Sequence, residues 1–307
     1  MSSTLYSIVC PVFNSEDSLR ELLLRTAEMF SKHTLNFEMI FVDDASTDGS
    51  WIEIEKLKND FPDKISGIQL SRNFGQHNAT LCGINQARGQ FIITIDDDLQ
   101  NPPEEIPMLI NKQQETGAEL VYGIFGKNKH HARWRNAGSK VVKKMSKTYR
   151  KTPGDGSSFR LLNRSLADHL QRHDHSFIFL DEVLLWYTNS VAFALVKHEK
   201  RKYRQSGYSP FKIWKLTANL VFYYTNLPLK LLFYGGLSMS FIGFVLIMYF
   251  LTMKILHDVP LGYTSLIVAI LFSSSVILLG MGVIGEYLSR IYNMLNKKPP
   301  YAVRKQI

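Results

Sequence analysis

Up to residue 125 the hydrophobic positions follow two alternating rhythms. Short β-rich runs at 6–10, 37–42, 65–70 and 91–95 are separated by stretches with apolar residues every three or four positions, at 16–32, 50–59 and 78–87, and another follows at 104–116. Strands alternating with amphipathic helices predict an α/β domain built on a mostly parallel sheet. In such sheets ligands collect beyond the carboxyl ends of the strands. The residues just after each predicted strand therefore carry the most functional weight: Pro11 to Asn14, Asp43 and Asp44, Arg72 with its neighbours Ser71 and Asn73, and Asp96, Asp97 and Asp98.

Beyond that point the rhythm changes. Residues 126–160 are basic and irregular, punctuated by Gly126, Gly138, Gly154 and Gly156, and predict a loop over the site. A helical, partly apolar pattern returns at 165–193. At 211–226, Lys212, Lys215 and Asn219 mix with Phe211, Trp214, Leu220 and Phe222, as expected of a helix in a membrane interface, with Pro228 ending it. Two uncharged runs follow, at 231–253 and 259–285, each longer than the ~20 apolar residues that cross hydrocarbon. The predicted layout is an α/β domain at 1–210, an interface helix at 211–229, two transmembrane helices within 230–290 and a basic tail at 291–307.

Charge orients this layout. Lys212, Lys215 and Lys230 precede the first run and Arg290, Lys297, Lys298, Arg304 and Lys305 follow the second, whereas the connector carries Lys254 alone. Both termini are expected on the cytoplasmic side, and no leader pattern precedes the first strand. The net charge of +9 sits mostly at 127–151, at 197–215 and beside the apolar runs, which predicts attraction to lipid headgroups and phosphorylated substrates, not to nucleic acid. Cys10 and Cys82 lie in apolar segments and are expected to be buried thiols.

The strongest chemical signal is the apolar strand at 91–95 running into Asp96, Asp97 and Asp98. Adjacent carboxylates repel unless a cation neutralises them, and oxygen-only donors suit Mg²⁺ or Mn²⁺ bridging a diphosphate. A polar turn capping the helix that begins near Pro102 is the competing explanation. Asp43 and Asp44 form a second strand-end pair, able to accept from a base or ribose or to organise a turn in which Asp48 or Ser50 caps the next helix. Arg72 stands where a guanidinium can meet phosphate.

Taken in order, Pro11-Val12-Phe13-Asn14, the 42–50 stretch Val-Asp-Asp-Ala-Ser-Thr-Asp-Gly-Ser, the 71–77 stretch Ser-Arg-Asn-Phe-Gly-Gln-His and the 96–104 stretch Asp-Asp-Asp-Leu-Gln-Asn-Pro-Pro-Glu resemble family-2 glycosyltransferases of the GT-A fold. The match is to their polyisoprenyl-phosphate group, which includes dolichyl-phosphate mannose synthases, bactoprenol glucosyltransferases and undecaprenyl-phosphate aminoarabinose transferases. It continues through residues 282–292 and the tail Pro299-Pro300-Tyr301.

The resemblance implies a GT-A Rossmann-like nucleotide-sugar domain followed by an interface helix and a two-helix membrane hairpin. It implies transfer of a sugar, from a UDP-sugar by default, to a polyisoprenyl (undecaprenyl) phosphate at the cytoplasmic membrane, with inversion. By position, Pro11, Asn14, Asp43, Asp44, Arg72, Asp96, Asp97 and Gln100 would serve the nucleotide-sugar, and Asp96 and Asp98 a Mg²⁺ or Mn²⁺ ion. Lys127, Arg133, Arg135, Arg160, Arg204 and Ser209 would serve the acceptor phosphate, and Asp98, Asp155 and Arg135 catalysis. A tetramer is the oligomer the resemblance suggests. Ser15 departs from the glutamate common at its position, with Glu16 one place later, and the acidic residue matched by Asp155 shifts among relatives. Rival expectations are a transferase that extends a polysaccharide or a glycosylated lipid, and a membrane scaffold or flippase subunit with no catalysis.

Overall fold

The computed structural model describes residues 5–125, 157–171, 179–199, 262–295 and 299–307, together with scattered positions between 229 and 256. Two units are present: Met1–Ser206 with Lys297–Ile307, and Gly207–Asn296.

The first unit is built on an eight-stranded sheet, with strands β1 (Leu5–Val12), β2 (Asn36–Asp43), β3 (Ile65–Leu70), β4 (Phe91–Thr94), β5 (Leu120–Phe125), β6 (Arg160–Asn163), β7 (Val191–Val196) and β8 (Val303–Gln306). Their spatial order is β7-β5-β6-β4-β1-β2-β3-β8. The neighbours β4, β1, β2 and β3 are parallel, with Val12 beside Asp43 and Val9 beside Thr94. Their carboxyl ends therefore open at one edge. β6 runs antiparallel to β4 and β5, and β8 antiparallel to β3.

β1 is buried from Tyr6 to Val12, which is why it reads as an apolar run with no polar face. Successive side chains serve opposite faces: Ile8 and Cys10 join one core cluster and Val9 the other. Helix α1 (Glu16–Lys32) covers the first face with Leu19, Leu22, Leu23 and Phe30. Helix α3 (Gln76–Gln86) covers the second with Ala79, Cys82 and Ile84. A Cβ on Gly83 would lie 2.4 Å from Val9 Cγ1, so the glycine lets α3 approach the sheet closely. Helices α2 (Ser50–Asp60) and α4 (Ile106–Thr116) complete the first covering layer. Cys10 and Cys82 are buried free thiols.

The region expected to be helical at 165–193 is mixed. It holds α5 (Arg164–Leu170) and α6 (Leu180–Tyr187), then strand β7. The sequence Val-Ala-Phe-Ala-Leu-Val is apolar at every position, and a short run without periodicity cannot be assigned to helix or strand from pattern alone. The expected tail at 291–307 also divides. Helix α7 (Tyr263–Leu295) runs past 285, and the last residues join the first unit as β8. There Ile307 exchanges backbone hydrogen bonds with Gly67, at 3.1 and 2.9 Å, and Lys305 pairs with Glu55 at 2.6 Å. An otherwise unpaired edge of β3 is thereby closed.

The second unit contains α7, a helix of 33 residues whose window Phe272–Ser289 is long and apolar enough to cross a membrane. It is the one such helix among the described residues. The described positions between 229 and 256 are helical, and Leu232 Cδ2 lies 3.9 Å from where a Cβ on Gly280 would stand. The expected interface helix falls outside the described residues apart from Leu229.

Candidate active site

The carboxyl ends of β1 to β4 bring together most of the expected donor-site residues. The loops after β1 and β2 are stitched to each other. Asn14, at φ 52°, donates its amide to Ser46 Oγ at 2.8 Å and accepts from Thr47 N at 2.6 Å, and Ser15 N donates to Ser50 Oγ at 2.7 Å. Glu16 accepts from Gly49 N at 2.7 Å, so the carboxylate one place beyond Ser15 organises the second loop. Pro11 is buried in β1 opposite Val42. These contacts join the loops after β1 and β2 at the carboxyl ends of the strands.

Asp43 and Asp44 are buried and occupied. Asp43 accepts from Ser46 N at 3.1 Å and Gln69 Nε2 at 3.2 Å. Asp44 accepts from Phe74 N at 2.7 Å and Gly75 N at 2.8 Å, bracing the loop that leads into α3. Gly75 has φ 89°, a conformation that favours glycine. Burial pushes the Asp44 carboxyl up to about 6, helped by the charge of Asp43 and opposed by the two amide donors. Arg72 stays exposed, its guanidinium 4.7 Å from the Phe74 ring centroid.

The triplet after β4 is different: all three residues are half-buried, unlike the fully buried pair after β2. Asp96 accepts from Gln76 Nε2 at 2.6 Å and from Ser158 Oγ at 2.5 Å. Asp97 accepts from Phe13 N at 3.1 Å, which ties the β1 loop to the triplet. Asp98 accepts from Gln100 N at 3.0 Å across a turn in which Leu99 has φ 58°. Burial pushes Asp96 up to about 6 and also raises Asp97, with the neighbouring carboxylates adding to both. Two aspartates at i and i+2, offering hard oxygen donors, fit a divalent cation. Among the described residues no group of three His, Cys, Asp or Glu side chains converges to hold an ion.

Gln100 stands beside His198, a histidine for which the sequence carries no signal. Gln100 Nε2 lies 3.3 Å from His198 Nε2, and the imidazole rests against Phe125 at 4.2 Å between ring centroids. The segment is pinned on both sides, Glu199 N donating to the Gln100 carbonyl at 2.9 Å and Lys197 N to Glu105 at 3.2 Å. Gln76 and Ser158, which hold Asp96, likewise give no hint of that role in the sequence.

Arg160 requires a correction. It was expected to meet the acceptor phosphate, but it is 2% exposed, and its guanidinium pairs with Asp181 at 2.5 Å and donates to Thr94 Oγ1 at 3.2 Å. Its alternation on β6 points it into the sheet, where its charge is already matched. Lys127, Arg133, Arg135, Asp155, Arg204 and Ser209 lie outside the described residues.

Residues 7–171 match Glycosyl transferase family 2, and residues 227–291 match the GtrB C-terminal hairpin. The chain is 34% identical to an undecaprenyl-phosphate 4-deoxy-4-formamido-L-arabinose transferase of Proteus mirabilis, over 98% of its own length and 93% of the relative's. A protein of the same description from Yersinia pestis is 32% identical over the same shares. Among solved structures, glucosyl-3-phosphoglycerate synthase from Mycobacterium tuberculosis, in complex with Mn²⁺, UDP-glucose and phosphoglyceric acid, shares the fold at a TM-score of 0.51 and 16% identity, covering 72% of this chain and 78% of that one. With the family match spanning more than half of the chain and these relatives nearly all of it, the chain belongs to glycosyltransferase family 2 and is a glycosyltransferase.

Proposed function

We propose that the chain transfers a sugar from a nucleotide-sugar, a UDP-sugar by preference, to the phosphate of a polyisoprenyl lipid at the cytoplasmic face of a membrane. The observation that carries this reading is the partly exposed acid triplet at the end of β4, set beside Gln100 in a chain that also holds a long apolar helix. The undecaprenyl-phosphate specificity in the names of its relatives and the hairpin match at 227–291 support the acceptor and a two-span anchor.

In this reading Asp43, Asp44 and Asn14 shape the nucleotide pocket, and Arg72 and Gln100 approach the diphosphate. Asp98, with Asp96, would hold Mg²⁺ or Mn²⁺, which when bound supplies electrostatic stabilisation of the departing diphosphate. The nucleophile is a phosphate monoester, already anionic at pH 7 because its second pKa is about 6. No side chain has to remove a proton from it. A single displacement inverts the anomeric carbon, and Arg135 and Lys127 would position the acceptor while Asp155 orders their loop.

The test is to incubate the full chain with a panel of nucleotide-sugars, Mn²⁺ and a short polyprenyl phosphate. A new lipid-linked sugar formed with one donor is the expected result. Transfer only to a glycan or a glycosylated lipid would overturn the acceptor assignment.

A further inference from the structure

Asp96 is held by residues that are themselves held. Ser158 Oγ donates to one carboxylate oxygen at 2.5 Å while Gln76 fixes the other. The Ser158 carbonyl in turn accepts from Thr94 Oγ1. Thr94 Oγ1 accepts from Arg160 Nε at 3.2 Å, and Arg160 Nη1 donates to Asp181 Oδ1 at 2.5 Å. Thr94, Arg160 and Asp181 are 1%, 2% and 6% exposed.

The chain of contacts runs from helix α6, across β6 and β4, to the carboxylate at the mouth of the crevice. A buried ion pair is weak evidence for stability, because apolar residues of similar volume often serve as well. The position of this pair offers another role. Arg160 lies opposite Thr94 in the antiparallel register of β4 and β6, two residues before Asp96 on one strand and two after Ser158 on the other. It therefore joins the two segments that must stay in register for the Ser158 hydroxyl to meet Asp96. Thr94, with one hydroxyl, both accepts from the guanidinium and donates to the Ser158 carbonyl, so the charge pair orients the hydroxyl and the hydroxyl anchors the serine.

We infer that Arg160, Asp181 and Thr94 are positioning residues which, through Ser158, set the orientation of Asp96 toward the nucleotide-sugar and its divalent cation. This rests on the donor-site reading of Asp96 given above. Arg160 then acts in the reaction without touching the acceptor.

The experiment measures Mn²⁺ binding to the full chain in detergent by electron paramagnetic resonance, with UDP present, alongside thermal melts. Asp96→Asn is the reference and should abolish tight Mn²⁺·UDP binding. Ser158→Ala, which removes one hydrogen bond to a charged group, should weaken it about tenfold with the melting temperature little changed. In the Asp96→Asn background the same substitution should have no further effect. Removing one partner of the buried pair risks unfolding, so the pair is exchanged whole, as Arg160→Met with Asp181→Leu. That variant should fold and yet bind Mn²⁺·UDP several-fold more weakly, and should lower kcat more than it raises KM for the lipid. Wild-type affinity in Ser158→Ala, or in the folded pair exchange, would overturn the inference. Undiminished binding in Asp96→Asn, or none by the wild type, would instead overturn the donor-site reading beneath it.

Discussion

Two strand ends in this sheet carry adjacent aspartates, and they do opposite work. At the end of β2, Asp43 and Asp44 are buried and accept from Ser46, Gln69, Phe74 and Gly75. Three of those four donors are backbone amides, so the carboxylates take the place of secondary structure in a loop that has none. At the end of β4, Asp96, Asp97 and Asp98 are partly exposed, and their donors come mostly from side chains and neighbouring loops. A carboxylate turned inward on amides builds the crevice. The half-buried acids after β4 are the ones proposed to meet a cation and a diphosphate. The donors, and not the acids, distinguish the two.

Substitution should separate these roles. Asp98→Asn is expected to lower turnover by at least ~10²-fold, the scale of losing one preorganised electrostatic contact in a transition state, while the melting temperature stays near that of the wild type. Chelation with EDTA should do the same to the unmodified enzyme. Retained activity under either condition would remove the metal from the proposal and make the two strand ends alike.

Asp44→Ala should act on the fold. Two half-buried amides, at Phe74 and Gly75, lose their acceptor, and at about 1–3 kcal/mol for each stranded group, reduced by access of water, the expected loss of stability is about 2 kcal/mol. A chemical or thermal melt of the full chain in detergent measures it. A stable but inactive Asp44→Ala protein would contradict the comparison, since it would assign Asp44 to ligand contact alone.

The same contrast explains what could be read from the sequence. β1, β2 and β4 were legible as largely apolar, buried runs and α1 as a helix with one apolar face, formed by Leu19, Leu22, Leu23 and Phe30. β6 and β7 were not: β6 carries Arg160 in the core, and the uniformly apolar β7 run has no period to tell strand from helix. The final strand was hidden for another reason: all four β8 residues are exposed, and what docks it is the pairing of Ile307 with Gly67 on a distant strand. In the site, the acids were visible as residue types at strand ends. Their partners were not, since Ser158 and Gln76 meet Asp96 only after the sheet has formed, and His198 reaches Gln100 from β7 at the far side.

An effect no larger is expected in the pH dependence of stability belonging to Asp44. Its folded carboxyl stands at about 6, chiefly through burial, whereas in the unfolded chain it titrates near the ordinary aspartate value of 3.8. Between these values the folded state holds more protons than the unfolded state, so stability is greatest below the lower one and falls as pH rises through the window. Above about pH 7 both states are ionised and the slope vanishes. The fall should be on the order of 2 kcal/mol, since each tenfold change in acidity corresponds to about 1.4 kcal/mol and solvent in the crevice screens part of the effect. Asp96 and Asp97 are raised in the same direction and act in the same sense. Comparing wild type with Asp44→Asn cancels those contributions, because the variant keeps both residues and lacks only the titration at 44. The melting temperatures of the two proteins should diverge as pH is lowered from about 7 to about 4, the wild type gaining on the variant. Parallel curves would mean that the Phe74 and Gly75 amides hold Asp44 ionised throughout, leaving the β2 pair a charged structural turn with no proton to exchange.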